Sequence, residues 1–177
     1  NLKKIKVLVI GEIIIDKYVF CEALGKSGKE PMLVLRNLNT EEYLGGSAAI
    51  SRHLSDFCKN VALFGMIGDQ DQYEGKVKKQ LPKNINFRYL KKNNSPTIVK
   101  TRFLDSVDNK KVLGVYSIND EILSQNDEKK FKNYLKNNLK KYDLVIISDY
   151  GHGFISNDNA KIICQTSKYL ALNAQVN

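Results

Sequence analysis

Cysteine, histidine and arginine are scarce in this sequence, and long apolar runs are missing. The three cysteines, Cys21, Cys58 and Cys164, form no CxxC pair and are odd in number. That argues against a structural zinc site or a disulfide framework and points to reduced thiols in a cytoplasmic protein. Two histidines, His53 and His152, have no pairing pattern, so neither a metal centre nor a Ser/His/Asp or Cys/His arrangement can be assembled. Arginine supplies only four of the 28 basic residues, although the formal net charge is +9. Proteins that read nucleic acids rely on arginine for bidentate base contacts, and here the lysines are spread along helix faces and loops. The charge therefore reads as background composition, with no nucleic acid as partner. No segment approaches the ~20 apolar residues that span a bilayer. The longest runs, Val7 to Ile10 and Leu144 to Ile147, are strand-sized. A secretory leader is not expected either, because Gly11, Glu12 and Asp16 interrupt the stretch after the basic start.

What remains is ordinary globular material. At 177 residues, 42% hydrophobic and 27% charged, the chain fits one domain over residues 1–177. A domain of that size buries roughly two thirds of its unfolded surface. Continuous apolar runs at 5–10, 61–66 and 144–148 predict strands covered on both faces, as in a parallel sheet. A helix is predicted to open at Gly45-Gly46-Ser47, with Ile50, Leu54 and Phe57 as its apolar face, and others over 70–81, 127–140 and 157–169. A further strand is predicted from Leu170 onward. Strand–helix–strand alternation implies right-handed βαβ units on a parallel sheet, an α/β three-layer fold. Two strand-rich excursions, at about 17–38 and 85–118, depart from that rhythm and predict a small β lid standing off the main body.

In open α/β sheets, ligands bind beyond the carboxyl ends of the strands, and three segments converge there. The first ends at Asp16. Its carboxylate suits two neighbouring hydroxyls, since a charged acceptor makes bonds about twice as strong as a neutral one; a turn or helix cap is the equal alternative. The second is Gly45-Gly46-Ser47, which opens a helix whose free N–H groups favour oxygen-rich ligands, or is simply a tight turn. No GK[ST] follows, so it is not a Walker-type loop. The third is Ser148-Asp149-Tyr150-Gly151-His152-Gly153, where Asp149 either meets a ligand or caps its own loop. Lys100 and Arg102 share one face of the predicted strand 97–104 and could clamp an anionic group, or lie on a solvated face. His53 reads as surface.

Taken in order, these segments resemble the ribokinase-like carbohydrate kinases of the PfkB type, and most of all the kinase half of bifunctional heptose-phosphate kinase/nucleotidyltransferases. The stretch Val9 to Tyr18 resembles the family's first strand and its sugar-contacting aspartate. Gly45-Gly46 resembles its GG motif, Gly65 to Asp71 its GxxGxD element, Pro96 to Arg102 its lid strand, and Ile147 to Gly153 its SDYxKG loop. The resemblance implies ATP-dependent phosphorylation of a sugar or sugar phosphate, with Mg²⁺. Asp16, Gly45, Gly46 and Ser47 would hold the sugar, with Lys100, Arg102 and Asp149 near it, in a homodimer joined through the lid. It also implies that the C-terminal part of the fold, with a DTxGAGD-like motif carrying the nucleotide site and catalytic base, lies beyond residue 177, so that this segment alone is inactive. Two departures stand out: Ala49 replaces an expected Asn, and His152 replaces the loop lysine. The rival readings are a non-catalytic sugar-phosphate-binding regulatory module and, more remotely, a lysine-rich nucleic-acid binder.

Overall fold

A computed structural model describes residues 2–175. Its spine is β1 (Lys6–Lys26), a strand of 21 residues that belongs to two sheets in turn. Residues 6–12 pair in parallel with β3 (Asn60–Gly68) on one side, and residues 7–11 with β7 (Leu144–Asp149) on the other. Outside these, β4 (Ile85–Lys92) runs parallel to β3, and β8 (Tyr169–Ala174) parallel to β7. The core sheet is thus all parallel, in the order β4-β3-β1-β7-β8.

Side chains of a strand alternate between faces, and β1 shows what that does in a buried sheet. Val7 and Val9 face a layer formed with Leu63, Ala48 of α1 (Gly46–Phe57) and Val77 of α2 (Tyr73–Gln80). Leu8 and Ile10 face Phe131 and Leu135 of α3 (Gln125–Asn138) and Ile163 of α4 (Asn157–Thr166). Both faces being covered, Val7 to Ile10 needs no polar alternation. On the second face Phe64, Phe131 and Phe154 form a stack, with Phe131 and Phe154 centroids 4.5 Å apart. Ser124 and Ser156 cap α3 and α4, accepting from the backbone N–H groups of Asp127 and Asn159.

The distal half of β1 leaves the core and builds the lid. Residues 14–26 pair antiparallel with β2 (Leu33–Gly45), and residues 14–21 pair in parallel with β5 (Ile98–Asp105). An antiparallel β6 (Lys111–Ser117) completes the order β2-β1-β5-β6.

Three expectations change. The excursion at about 17–38 does not begin as a strand of its own but continues the first one, because Gly11 to Asp16 stay extended between the two sheets. Residues 85–92, expected in the lid, form a core strand: after α2 the chain returns beside β3, and Ile85 and Leu90 bury themselves in the core. Of the expected apolar face of α1, Ile50 and Leu54 pack against the core but Phe57 is 62% exposed, and the fully buried positions are the small residues Gly46, Ser47, Ala48 and Ser51.

Candidate functional site

The strand order reverses between β1 and β7. The chain winds outward through β3 and β4 on one side and through β8 on the other, which makes the carboxyl ends of β1 and β7 the switch point where ligands bind in such sheets. Gly11 lets the two strands close there: a Cβ on it would stand 2.1 Å from the Ser148 carbonyl oxygen.

Glu12, directly after Gly11, is fully buried. Its two carboxylate oxygens accept the backbone N–H groups of Tyr150 (3.1 Å) and His152 (3.3 Å), so this one side chain shapes the loop after β7. Burial pushes the Glu12 carboxyl above its ordinary range and the nearby Asp149 charge adds to that, while the backbone donors oppose it. On the far side of the loop, the buried Lys92 ammonium donates to the carbonyls of Asn119, Glu121 and His152. His152 Nδ1 lies 2.7 Å from Asp120 Oδ1, and its Nε2 is buried with no partner among the described residues. The loop is held from both sides.

Asp16 stands one step further along β1, at the root of the lid. Gly45 of β2 presses against it: a Cβ there would meet Asp16 Oδ2 at 2.2 Å. Gly46 follows with φ +58°, and its missing Cβ leaves room for the Glu12 carbonyl, 2.4 Å from where that atom would be. Asp16 therefore lies against the Gly-Gly turn that opens α1, and no side chain caps that helix. Arg102 donates to Asp16 Oδ1 at 2.5 Å. Its guanidinium carbon is 5.7 Å from the Tyr18 ring centroid and 5.8 Å from that of Tyr116. Lys100 Nζ stands 5.5 Å from the Tyr150 ring centroid and 5.8 Å from that of Tyr116, bridging lid and core loop.

Of the residues singled out in the sequence, Asp16, Gly45, Lys100 and Arg102 come together. Gly46 adjoins them at the start of α1, while Ser47 and Asp149 make bonds within the protein. The Ser47 hydroxyl is buried within reach of the Gly11 (3.0 Å) and Glu12 (2.9 Å) carbonyls, pinning α1 to β1. Asp149 Oδ1 accepts the Gly151 N–H at 3.0 Å, the loop-capping role. Glu12, Tyr18, Tyr116 and Tyr150 were not foreseen as site residues. A lone carboxylate inside the run Val7 to Ile15 was the available sign for Glu12. Beneath the lid, Asp71 accepts the Thr97 backbone N–H (2.5 Å) and hydroxyl (2.8 Å) and so anchors the start of β5. Cys21, Cys58 and Cys164 are all free thiols. Among the described residues no helix is long and apolar enough to cross a membrane.

A parallel α/β sheet with a detached β lid rooted beside a carboxylate, a Gly-Gly helix start and two cations defines a ribokinase-like sugar kinase fold. The sequence profile of the pfkB family carbohydrate kinases matches residues 4–176, and the chain belongs to that family. It is similar to the "Bifunctional protein HldE" of Campylobacter jejuni subsp. doylei, 27% identical over 183 residues, covering 98% of this chain and 35% of that protein. The protein of the same name from Haemophilus influenzae is 30% identical over 162 residues, covering 86% and 31%. Among solved structures, the fold matches phosphofructokinase-2 from Escherichia coli in complex with fructose-6-phosphate, at TM-score 0.68 and 8% identity, over 98% of this chain and 56% of that one. It also matches Arabidopsis thaliana ribokinase complexed with ribose and ATP, at TM-score 0.64 and 18% identity, over 95% and 53%. The chain spans about a third of the length of the curated relatives and about half that of the structural neighbours.

Proposed function

We propose that this chain is the sugar-binding and lid portion of a kinase domain that transfers a phosphoryl group from ATP to a hydroxyl of a sugar phosphate of the heptose-phosphate type. The observation that carries this reading is Asp16, set against Gly45 beneath the lid with Lys100 beside it. Asp16 accepts bonds from sugar hydroxyls, the Gly-Gly turn lets the ring approach the backbone, and the lid covers the bound sugar so that water does not intercept the phosphoryl group. The resemblance to HldE proteins favours a heptose phosphate over a plain hexose.

ATP and Mg²⁺ are what the family implies for the complete domain. Among the described residues no group of three or more His, Cys, Asp or Glu is placed to hold a metal ion. This chain's own residues bind and orient the sugar, and we place the catalytic base outside residues 1–177. The exposed Leu113 and Val115, on the face of the lid away from Lys100, support pairing of two copies through that sheet.

Isothermal titration of the chain with heptose 7-phosphate, alongside turnover of the full-length protein with ATP, tests the proposal. Saturable binding by the chain and phosphorylation by the full-length protein are expected. Binding without phosphorylation by the full-length protein would replace the kinase with a sugar-phosphate-binding regulatory module.

A further inference from the structure

Lys100 and Arg102 look alike in the sequence, two cations on one face of one strand, yet the fold gives them different surroundings. Register sets Asp16 beside Lys100, Tyr18 beside Arg102, and Tyr116 on the far side of Lys100, all on the same face of the lid. From its neighbouring row Arg102 reaches across to Asp16, with both side chains largely covered at 18% and 25% exposure. Its guanidinium also lies near two tyrosine rings, an arrangement suited to a planar cation. The Arg102 charge is thus already answered. The Lys100 ammonium makes no hydrogen bond or ion pair among the described residues, although the Lys100 carbonyl accepts from Arg102. Its ammonium stands between Tyr116 of the lid and Tyr150 of the loop that Glu12 holds. Cation–π contact steadies an ammonium without neutralising it, so Lys100 keeps its charge available.

The geometry assigns the two residues separate roles: Lys100, framed by Tyr116 and Tyr150, is the subsite for an oxyanion carried by the sugar, and Arg102 is a positioning residue that fixes Asp16 for the sugar hydroxyls. This rests on the sugar-binding reading above and divides what would otherwise be one anion clamp. In a clamp, both cations would contribute to phosphate affinity alone. In the divided site, Arg102 serves the ring and Lys100 the phosphate.

The test is titration of the chain and its variants with two probes, heptose 7-phosphate and the same heptose without phosphate, the ratio of dissociation constants being the readout. Wild type should prefer the phosphate about tenfold or more, the scale of one charge-assisted hydrogen bond. Lys100→Gln should bring the ratio close to one. Arg102→Gln should weaken both probes alike, by about tenfold, and keep the ratio. Arg102→Lys should not restore them, because an ammonium lacks the fork that reaches Asp16 while lying against the rings. Asp16→Asn provides an independent check should Arg102→Gln melt early: it should weaken heptose itself yet raise the ratio, because the freed guanidinium becomes a second cation for the phosphate. An unchanged ratio in Lys100→Gln, or an Arg102→Gln protein that loses phosphate preference while holding heptose normally, would overturn the division of roles. If wild type binds neither probe, the sugar-binding reading itself fails, a result distinct from either of those.

Discussion

Glu12 shows how one residue can set the chemistry of a strand end. It is the largest polar side chain among the fully buried ones, and each carboxylate oxygen serves one backbone donor of the 150–152 segment. Glutamine offers only one acceptor, so Glu12→Gln leaves one N–H facing an amide NH₂. The expected loss is about 1–3 kcal/mol, the scale of a buried donor left without partner. The pH dependence has a definite sign. Because burial raises the folded-state value, the carboxyl favours folding most below its unfolded value near 4.5 and progressively less as pH rises through the raised value. Urea unfolding of wild type and Glu12→Gln between pH 4 and 7 should show the wild-type advantage narrowing as pH increases. An advantage that stays level or widens would contradict the burial argument. Little of this was legible beforehand. Sequence marks Glu12 as a charge interrupting an apolar stretch, but its partners lie 138 and 140 positions away. The same holds for His152, whose neighbour Asp120 is 32 residues distant.

At the level of elements, the junction between β1, β2 and α1 carries two glycines with different obligations. Gly45 has φ −110°, open to any residue, but its missing Cβ is the space occupied by the Asp16 carboxylate. Gly46 is left-handed and abuts a backbone carbonyl that has nowhere to go. Gly45→Ala should push Asp16 aside, abolishing sugar binding while thermal melting stays near wild type. Gly46→Ala should lower stability by about 1–3 kcal/mol through strain at positive φ. Calorimetry of both variants with titration of heptose phosphate separates the two, and equal melting temperatures would refute the distinction. The GG pair itself was readable in the sequence, and so was the helix it opens. The division of labour was not, since a positive φ at one glycine and a carboxylate beside the other are properties of the folded junction. Continuous apolar strands announced themselves because their burial on both faces leaves a sequence mark. The half-polar β4 did not, and alternation of the kind Ile85 to Lys92 shows fits a lid as well as a sheet edge.

For the molecule as a whole, the lid is a four-strand sheet with apolar side chains left open to solvent. Leu113 and Val115 are each 53% exposed, on an edge strand. Bare edges and apolar patches invite a partner, and a second copy of the same lid satisfies both at once. Sedimentation equilibrium should give about twice the chain mass for wild type, and half of that for Leu113→Glu/Val115→Glu, with melting within about 0.5 kcal/mol because both positions are surface in the single chain. A wild-type protein of single-chain mass at micromolar concentration would remove the pairing.

The continuity of β1 has a mechanical consequence. A strand of 21 residues is about 70 Å long at roughly 3.3 Å per residue, and it passes from core to lid with no loop between. The lid cannot swing as a door on a joint; it can only flex like a springboard whose fixed end is bolted into the main sheet. Any bending at its free end loads the span from Gly11 to Asp16, and that span holds both Glu12 and the carboxylate under the flap.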